Sequence, residues 1–133
     1  MPKSDWENEK SAVQPHILRR LGQAVNAHDV DAIADCFTED LRSDHPIHPA
    51  RSFTGRERLR KNWTGAFAQV PDYAVRVLRC FTAGDKVWSE LEMGGTTVAG
   101  KPSLSRGVVI LQLRGECIAS VRFYLESADT DLD

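Results

Sequence analysis

The order of hydrophobic patterns along the chain restricts its fold more than any other feature. Three stretches with helical spacing of apolar residues come first, and four strand-like stretches follow them. The strand-like stretches cover residues 73–82, 86–93, 104–114 and 117–126. Helices that precede an antiparallel meander predict an α+β domain, in which the sheet curls around the helices and leaves room for a pocket. Glycines within residues 94–102 predict a longer hairpin loop in the middle of the meander.

The last strand-like stretch, Ile118 to Glu126, alternates between polar and apolar residues. Arg122, Tyr124 and Glu126 share one predicted face, and the apolar residues between them share the other, because successive strand side chains point to opposite sides. Such a strand needs an apolar partner on one side and a polar or wet space on the other. The polar face therefore lines a pocket only if the helices cover it.

The three helical stretches have recognisable starts and buried faces. The first apolar stripe runs from Val13 to Val25, and Asp29 is placed to cap the second helix. Thr54-Gly-Arg-Glu57 matches a capping box that opens the third helix. The large apolar members of these stripes, which we expect in the core and in any cavity wall, are Leu21, Phe37, Trp63 and Phe67.

Length and charge restrict the class of protein. The chain has 133 residues, and we expect a polar segment at 1–12 followed by a single domain at 13–133. The net charge of −2 comes from 17 basic and 19 acidic residues spread along the chain. No basic cluster is interleaved with aromatic residues, so we expect no nucleic-acid partner.

Hydropathy and cysteine content indicate a location. No apolar run approaches the roughly 20 residues of a membrane helix, and the first ten residues lack the apolar part of a signal peptide. Cys36, Cys80 and Cys117 are odd in number and far apart, which favours reduced cysteines. We therefore expect a cytoplasmic protein with no membrane partner.

Taken together, these stretches resemble the NTF2-like superfamily, which includes SnoaL-type polyketide cyclases and ketosteroid isomerase. The resemblance covers about residues 13–126. It is carried by Val25-Asn-Ala-His-Asp-Val-Asp-Ala-Ile33, Phe37-Thr-Glu-Asp40, Asp44-His-Pro46, Phe53-Thr-Gly-Arg-Glu57 with Trp63 beyond it, and Ile118 to Tyr124. It implies an α+β cone in which three N-terminal helices pack on a strongly curved, mostly antiparallel sheet. It also implies a cavity for a small apolar molecule, and a homodimer through the convex sheet face.

His45 is the first candidate catalytic residue. The resemblance places it, within Asp44-His45-Pro46, where the family has a catalytic Asp. An imidazole, with an ordinary pKa of about 6.5, can take or give a proton near neutral pH. The alternative is a surface histidine beside a proline. A metal pair of His45 and His48 would need further ligands from elsewhere in the fold, so we expect no metal and no other cofactor.

The resemblance also implies roles for the polar face of the last strand. If helices cover this face, Arg122 would hold a carboxylate or an enolate, and Tyr124 would donate to a developing oxyanion. Glu126 would be a second acid or base. The alternative is a solvated ladder of charges across neighbouring strands. Leu91 and Val109 are expected on the inner face of the sheet, in the wall of the ligand cavity.

Departures from the family pattern reduce the number of activities that the resemblance implies for this chain. When the sequences are aligned by eye, Leu21 and Val109 occupy the positions where ketosteroid isomerases have the two hydrogen-bond donors of their oxyanion hole. Neither side chain can donate, so isomerisation by that mechanism is disfavoured. The remaining hypothesis is a SnoaL-like enzyme that moves a proton on a small apolar carbonyl compound, as a cyclase, an isomerase or a hydrolase. Two alternatives stay open: a ligand-binding protein without catalysis, and a homodimeric interaction module whose side chains fill the cavity.

Overall fold

The computed structural model describes residues 14–129, and within this range the helices lie mainly in the first half. The helices are α1 (His16–Asn26), α2 (Val30–Asp35) and α3 (Arg56–Gln69). The strands are β1 (Phe37–Asp44), β2 (Phe53–Thr54), β3 (Ala74–Ala83), β4 (Lys86–Thr96), β5 (Pro102–Arg114) and β6 (Cys117–Ser127), and a 3₁₀ turn covers Pro49–Arg51. The predicted polar segment 1–12 and the last four residues of the predicted domain lie outside the described residues.

All six strands belong to one sheet in the order β2-β1-β6-β5-β4-β3. Strands β3 to β6 form the predicted antiparallel meander, because each pairs with the next through a short turn. Strand β1 pairs with β6 in parallel, and β2 pairs with β1 antiparallel. The sheet is curved and unclosed, and the helices pack on its concave face. The predicted α+β cone is therefore confirmed.

Irregular pairing helps to bend the sheet. The register of β3 against β4 shifts between Val77 and Arg79, and that of β5 against β6 shifts so that Ala119 is an extra residue. A β-bulge of this kind bends its strand and moves the following side chains to the other face. The predicted unbroken alternation of the last strand is therefore wrong at its start. Ile118 is fully buried together with Val121, instead of sharing a face with Arg122.

The helix boundaries follow the predicted local chemistry in one place and depart from it in two others. The Asp29 side chain accepts a hydrogen bond of 3.0 Å from the Ala32 N–H, which confirms the predicted cap of α2. Phe37 was expected on a helix but is the first residue of β1. The capping-box prediction is also wrong. Thr54 pairs in β2, and Gly55, with a φ of 91°, precedes α3 without a side-chain cap.

The hairpin between β4 and β5 is shorter than its glycines predict. Gly94 pairs with Leu104, and Gly95 pairs with Ser103, so the strands continue through most of residues 94–102. Gly94 has a φ of 135°, and a Cβ there would lie 1.9 Å from the Ser103 carbonyl oxygen. Glycine is needed because the two backbones approach closely. Only residues 97–101 connect the two strands.

The core lies between the helices and the concave face of the sheet. Its most buried members, with 2% exposure or less, come from helices and strands alike. They include Val25, Ile33, Ala34, Cys36, Leu41, Val87, Leu111, Ile118 and Val121. The three cysteines, all among the described residues, carry thiols and not disulfides, and Cys36 and Cys80 are buried. None of the described helices is long and apolar enough to span a membrane.

Candidate functional site

A cavity of about 340 Å³ lies between the concave face of the sheet and helices α1 and α3. This volume falls within the range of small-molecule sites, which is about 300–1,000 Å³. Most of its wall is aliphatic or aromatic. Five of the six side chains predicted to contact a ligand line it, and they are Leu21, Phe37, Trp63, Leu91 and Val109.

Phe67 is the sixth predicted ligand-binding residue, and it does not line the cavity. Its ring stacks on His28 at a centroid distance of 4.2 Å and also contacts Trp63. It therefore supports the wall from behind. The helical spacing placed Phe67 on the correct side of α3, but Trp63 stands between it and the empty space.

His45 lines the cavity just beyond the end of β1. The preceding lining residues of this strand, Leu41 and Ser43, share its face because side chains alternate along a strand. The His45 ring stacks on Phe123 with a centroid distance of 4.7 Å and an interplanar angle of 10°. Its backbone N–H donates to Ser52 Oγ at 2.9 Å. The stacking on Phe123 and the hydrogen bond from the backbone N–H therefore hold the His45 ring in position.

The electrostatic environment keeps the His45 imidazole neutral. Burial is the main reason that the pKa of His45 lies below its ordinary value, and the positive charges of Arg51 and His48 lower it further. Asp44 acts in the opposite direction but does not overcome these effects. A neutral imidazole has a free lone pair, so this group can accept a proton near neutral pH.

The prediction that Arg122, Tyr124 and Glu126 face the cavity is wrong. The cavity is lined instead by the apolar residues between and beside them, Val121, Phe123 and Leu125, because that face of β6 is turned towards α1 and α3 across the cavity. On the convex face, the Arg122 guanidinium lies 5.9 Å from the centre of the Tyr124 ring. Glu126 Oε1 lies 2.7 Å from Nε2 of His48. None of these three side chains lines the cavity.

The convex face carries a ladder of charges across β3, β4 and β5. Glu92 accepts hydrogen bonds of 2.8 Å from the Nε atoms of both Arg76 and Arg106. The bonds from Arg106 and Arg76 hold the pKa of Glu92 below its ordinary value. Arg79 contacts Glu90 in the same way. These carboxylates are ion-paired on the outside of the cone.

Ser43, which was not predicted as a site residue, is 2% exposed and lines the cavity. Its hydroxyl has no hydrogen-bond partner among the described residues. Buried hydroxyls are usually paired, so an unpaired one at a cavity wall is available to a ligand. The signal was present in the sequence. Because side chains alternate between the two faces of a strand, Asp44 faces away from His45, and Ser43 lies on the same face as His45.

Tyr73 was also missed, because it stands at the edge of a predicted strand. It lines the cavity, and its ring makes edge contacts with Trp63 and Phe67 at 5.5 Å and 5.9 Å. The Tyr73 carbonyl lies 2.7 Å from His28 Nε2, which ties this segment to the end of α1. Burial raises the pKa of Tyr73 to about 12, so its phenol stays protonated at neutral pH.

His45 and His48, which were considered as a metal pair and set aside, have separate surroundings. His45 stacks on Phe123, whereas Nε2 of His48 contacts Glu126. Within residues 14–129, no group of three His, Cys, Asp or Glu side chains is placed to hold a metal ion.

Solved structures with the same fold come from several bacteria. A ketosteroid isomerase-like protein of Catenulispora acidiphila, in complex with trimethylamine, has a TM-score of 0.75 and 24% identity over 84% of this chain and 87% of that one. A Mycobacterium tuberculosis protein in complex with estradiol-17β-hemisuccinate has a TM-score of 0.72 and 18% identity, over 81% and 89%. A polyketide cyclase-like protein of Sinorhizobium meliloti has a TM-score of 0.65 and 18% identity, over 85% and 95%. At these identities the similarity shows the fold alone.

The family assignment comes from the sequence comparison. No curated protein matches the chain. The model of the SnoaL-like domain, however, matches residues 18–121, from the first described helix to the middle of β6. The matched region contains the strand that carries Ser43 and most of the cavity wall. The chain therefore belongs to the SnoaL-like domain family.

Proposed function

We propose that this protein is an enzyme that moves a proton on a small, largely apolar carbonyl compound, with His45 as the general base. The observation that carries the proposal is a neutral imidazole in the wall of an apolar cavity. It lies two residues along the chain from the unpaired, buried hydroxyl of Ser43. A base, a donor and an apolar wall are the parts that such a reaction needs. The interaction-module alternative expected no cavity of useful size, so the observed volume disfavours it.

The proposed chemistry begins with the substrate carbonyl near Ser43. His45 removes a proton from the carbon next to the carbonyl group, so the C–H electron pair moves into an enolate and the imidazole becomes an imidazolium. The Ser43 hydroxyl donates a hydrogen bond to the enolate oxygen as its charge develops. In an isomerisation, the imidazolium returns the proton to a different carbon of the enolate. In an aldol-type cyclisation, the enolate carbon first forms a bond to a second carbonyl carbon of the same molecule, the C=O π bond of that carbonyl breaks to leave an alkoxide, and the imidazolium gives its proton to the alkoxide.

A test of this step does not require the natural substrate. Incubation of the protein with 2-tetralone in D2O, followed by mass spectrometry, measures the exchange of the α protons for deuterium. We expect the native protein to accelerate the exchange, and His45→Ala to lower the accelerated rate by about 10²–10⁴-fold. The rate should also fall as the pH falls through the pKa of His45, which lies below that of an ordinary histidine. The acid form of the ring has no lone pair for the proton.

The matched control is His16→Ala, which removes an exposed imidazole at the start of α1, away from the cavity wall. This variant should exchange at the native rate. Equal rates for His45→Ala and the native protein would remove His45 from the role of base. If the native protein binds 2-tetralone without any exchange, the ligand-binding alternative is favoured instead.

Assembly and location are further parts of the proposal. We expect a homodimer in which the convex sheet face is covered, because Phe81 and Trp88 stack there at 5.9 Å with 59% and 38% of their surfaces exposed. We also expect the protein to act in the cytoplasm on a small apolar molecule. Two of the structurally similar proteins were solved with small organic molecules, trimethylamine and estradiol-17β-hemisuccinate.

A further inference from the structure

The charges around the cavity are unbalanced. Seven side chains with a nitrogen or oxygen atom line it, and they are Ser43, His45, Arg51, Asn62, Trp63, Tyr73 and Ser105. None of the described lining residues is Asp or Glu. Arg51 therefore supplies a full positive charge, while His45 and Tyr73 are held neutral by burial. The electrostatic potential inside this site favours an anion and opposes a cation.

The position of Arg51 is fixed by its backbone. It ends the 3₁₀ turn, where its N–H donates to the His48 carbonyl at 2.9 Å. The next residue, Ser52, accepts the hydrogen bond from the His45 N–H. Arg51 and His45 are therefore held at the two ends of one tied loop. The charge of Arg51 is close enough to lower the pKa of His45.

The Arg51 guanidinium differs from most other arginines of the chain in its contacts. Six arginines each contact a carboxylate, and they are Arg42, Arg60, Arg76, Arg79, Arg106 and Arg114. Within residues 14–129, no carboxylate contacts Arg51. Two acidic residues at this loop are already engaged, because Asp44 lies 2.7 Å from Arg42 and Glu126 lies 2.7 Å from His48.

We propose that the cavity binds an apolar molecule that carries one anionic group, a carboxylate in the simplest case, and that this group pairs with Arg51. This inference rests on the proposed small-molecule site and names the class of its ligand. A planar guanidinium binds a carboxylate through two parallel hydrogen bonds, which a neutral group cannot match. The apolar body then lies against the aromatic and aliphatic wall, and the rest of the molecule reaches towards Ser43 and His45.

The proposal can be tested with three probes of nearly equal shape, 2-naphthoate, 2-naphthamide and 2-naphthylmethylammonium, by isothermal titration calorimetry at low salt. The native protein should bind the carboxylate about tenfold more tightly than the neutral amide, since one charge-assisted hydrogen bond contributes about that factor or more. The ammonium should bind most weakly. In Arg51→Gln the preference for the carboxylate should disappear, while the affinity for 2-naphthamide stays within about twofold and shows that the cavity is intact.

The matched control is Arg58→Gln, which removes an exposed cation on α3 that does not line the cavity. This variant should keep the native preference. Equal binding of the carboxylate and the amide by the native protein, an unchanged preference in Arg51→Gln, or no binding of any probe would each overturn the inference. Proton transfer is judged separately on 2-tetralone, which is uncharged. Loss of the charge preference and loss of His45-dependent exchange are therefore distinguishable results.

Discussion

Two buried serines show how the same side chain can serve different purposes in one sheet. Ser89 is 1% exposed, and its hydroxyl donates to the Val109 carbonyl at 2.8 Å. Ser43 is 2% exposed but has no hydrogen-bond partner among residues 14–129. An unpaired buried hydroxyl costs stability, so a residue of this kind is more readily explained by a contact with a ligand than by folding.

The contrast leads to opposite expectations for two alanine variants. Ser43→Ala should leave the free energy of unfolding unchanged or raise it by about 1 kcal/mol, because it removes an unpaired polar group. It should also lower 2-tetralone exchange by about 10²-fold, because the enolate loses a donor. Ser89→Ala should lower the free energy of unfolding by about 1 kcal/mol and leave the exchange rate unchanged. Urea denaturation and the exchange assay measure both quantities.

A result in which Ser43→Ala and Ser89→Ala are equally destabilised would mean that the Ser43 hydroxyl has a partner within the protein. The proposed contact with the substrate oxygen would then have no support.

At the scale of elements, the backbones of β5 and β6 approach each other closely at Gly107. This residue pairs with Leu91 on one side and Leu125 on the other, and both of these leucines line the cavity. Gly107 has a φ of 153°, and a Cβ there would lie 2.0 Å from the Tyr124 carbonyl oxygen. Glycine therefore lets the two strands stay paired where the sheet forms the cavity wall.

Gly107→Ala should lower the free energy of unfolding by about 2–4 kcal/mol, because the backbone of β5 or β6 must move to admit the methyl group. The matched control is Gly65→Ala on α3, where no atom lies within 4 Å of the added Cβ. That change should raise the free energy of unfolding by about 0.5–1 kcal/mol, since alanine is the better helix former. Urea denaturation of both variants gives the comparison. A Gly107→Ala protein as stable as the native one would contradict this account of the β5–β6 pairing.

At the scale of the whole molecule, the two faces of the sheet have different surroundings. Helices cover the concave face, which surrounds the cavity. The convex face presents ion pairs and the stacked, exposed rings of Phe81 and Trp88. Exposed aromatic pairs of this kind usually mark a contact with another protein.

Light scattering during size-exclusion chromatography should give twice the 14.8 kDa mass of one chain at micromolar concentration. Trp88→Asp should shift the mass towards that of a monomer, because it places a charge in the proposed apolar contact. The control is Val98→Asp, which alters an exposed apolar residue in the connection between β4 and β5. A native protein that elutes with the mass of one chain would contradict the dimer, and so would a Trp88→Asp protein that remains dimeric.

The fold was predicted in more detail than the site. Hydrophobic periodicity gives the type and order of elements, and the resemblance adds their arrangement as a cone. Predictions of local detail were wrong where tertiary contacts override the local conformational propensity of the sequence. Thr54 was predicted to cap a helix but pairs in β2. Gly94 was predicted to lie in a loop but lies within a strand, where it fits against Ser103.

Away from the register shifts, the sequence by itself determined which residues share a face of a strand, and with it the sets to which His45 and Tyr124 belong. Only the tertiary structure decided which face the helices cover. The period of a strand is two residues, so its pattern is identical for either choice. Packing against α1 and α3 placed Phe123 and its neighbours inside and left Arg122 and Tyr124 outside. The charge of the cavity was decided in the same way, because Arg51 lies in a loop whose position depends on contacts between distant residues such as His48 and Glu126.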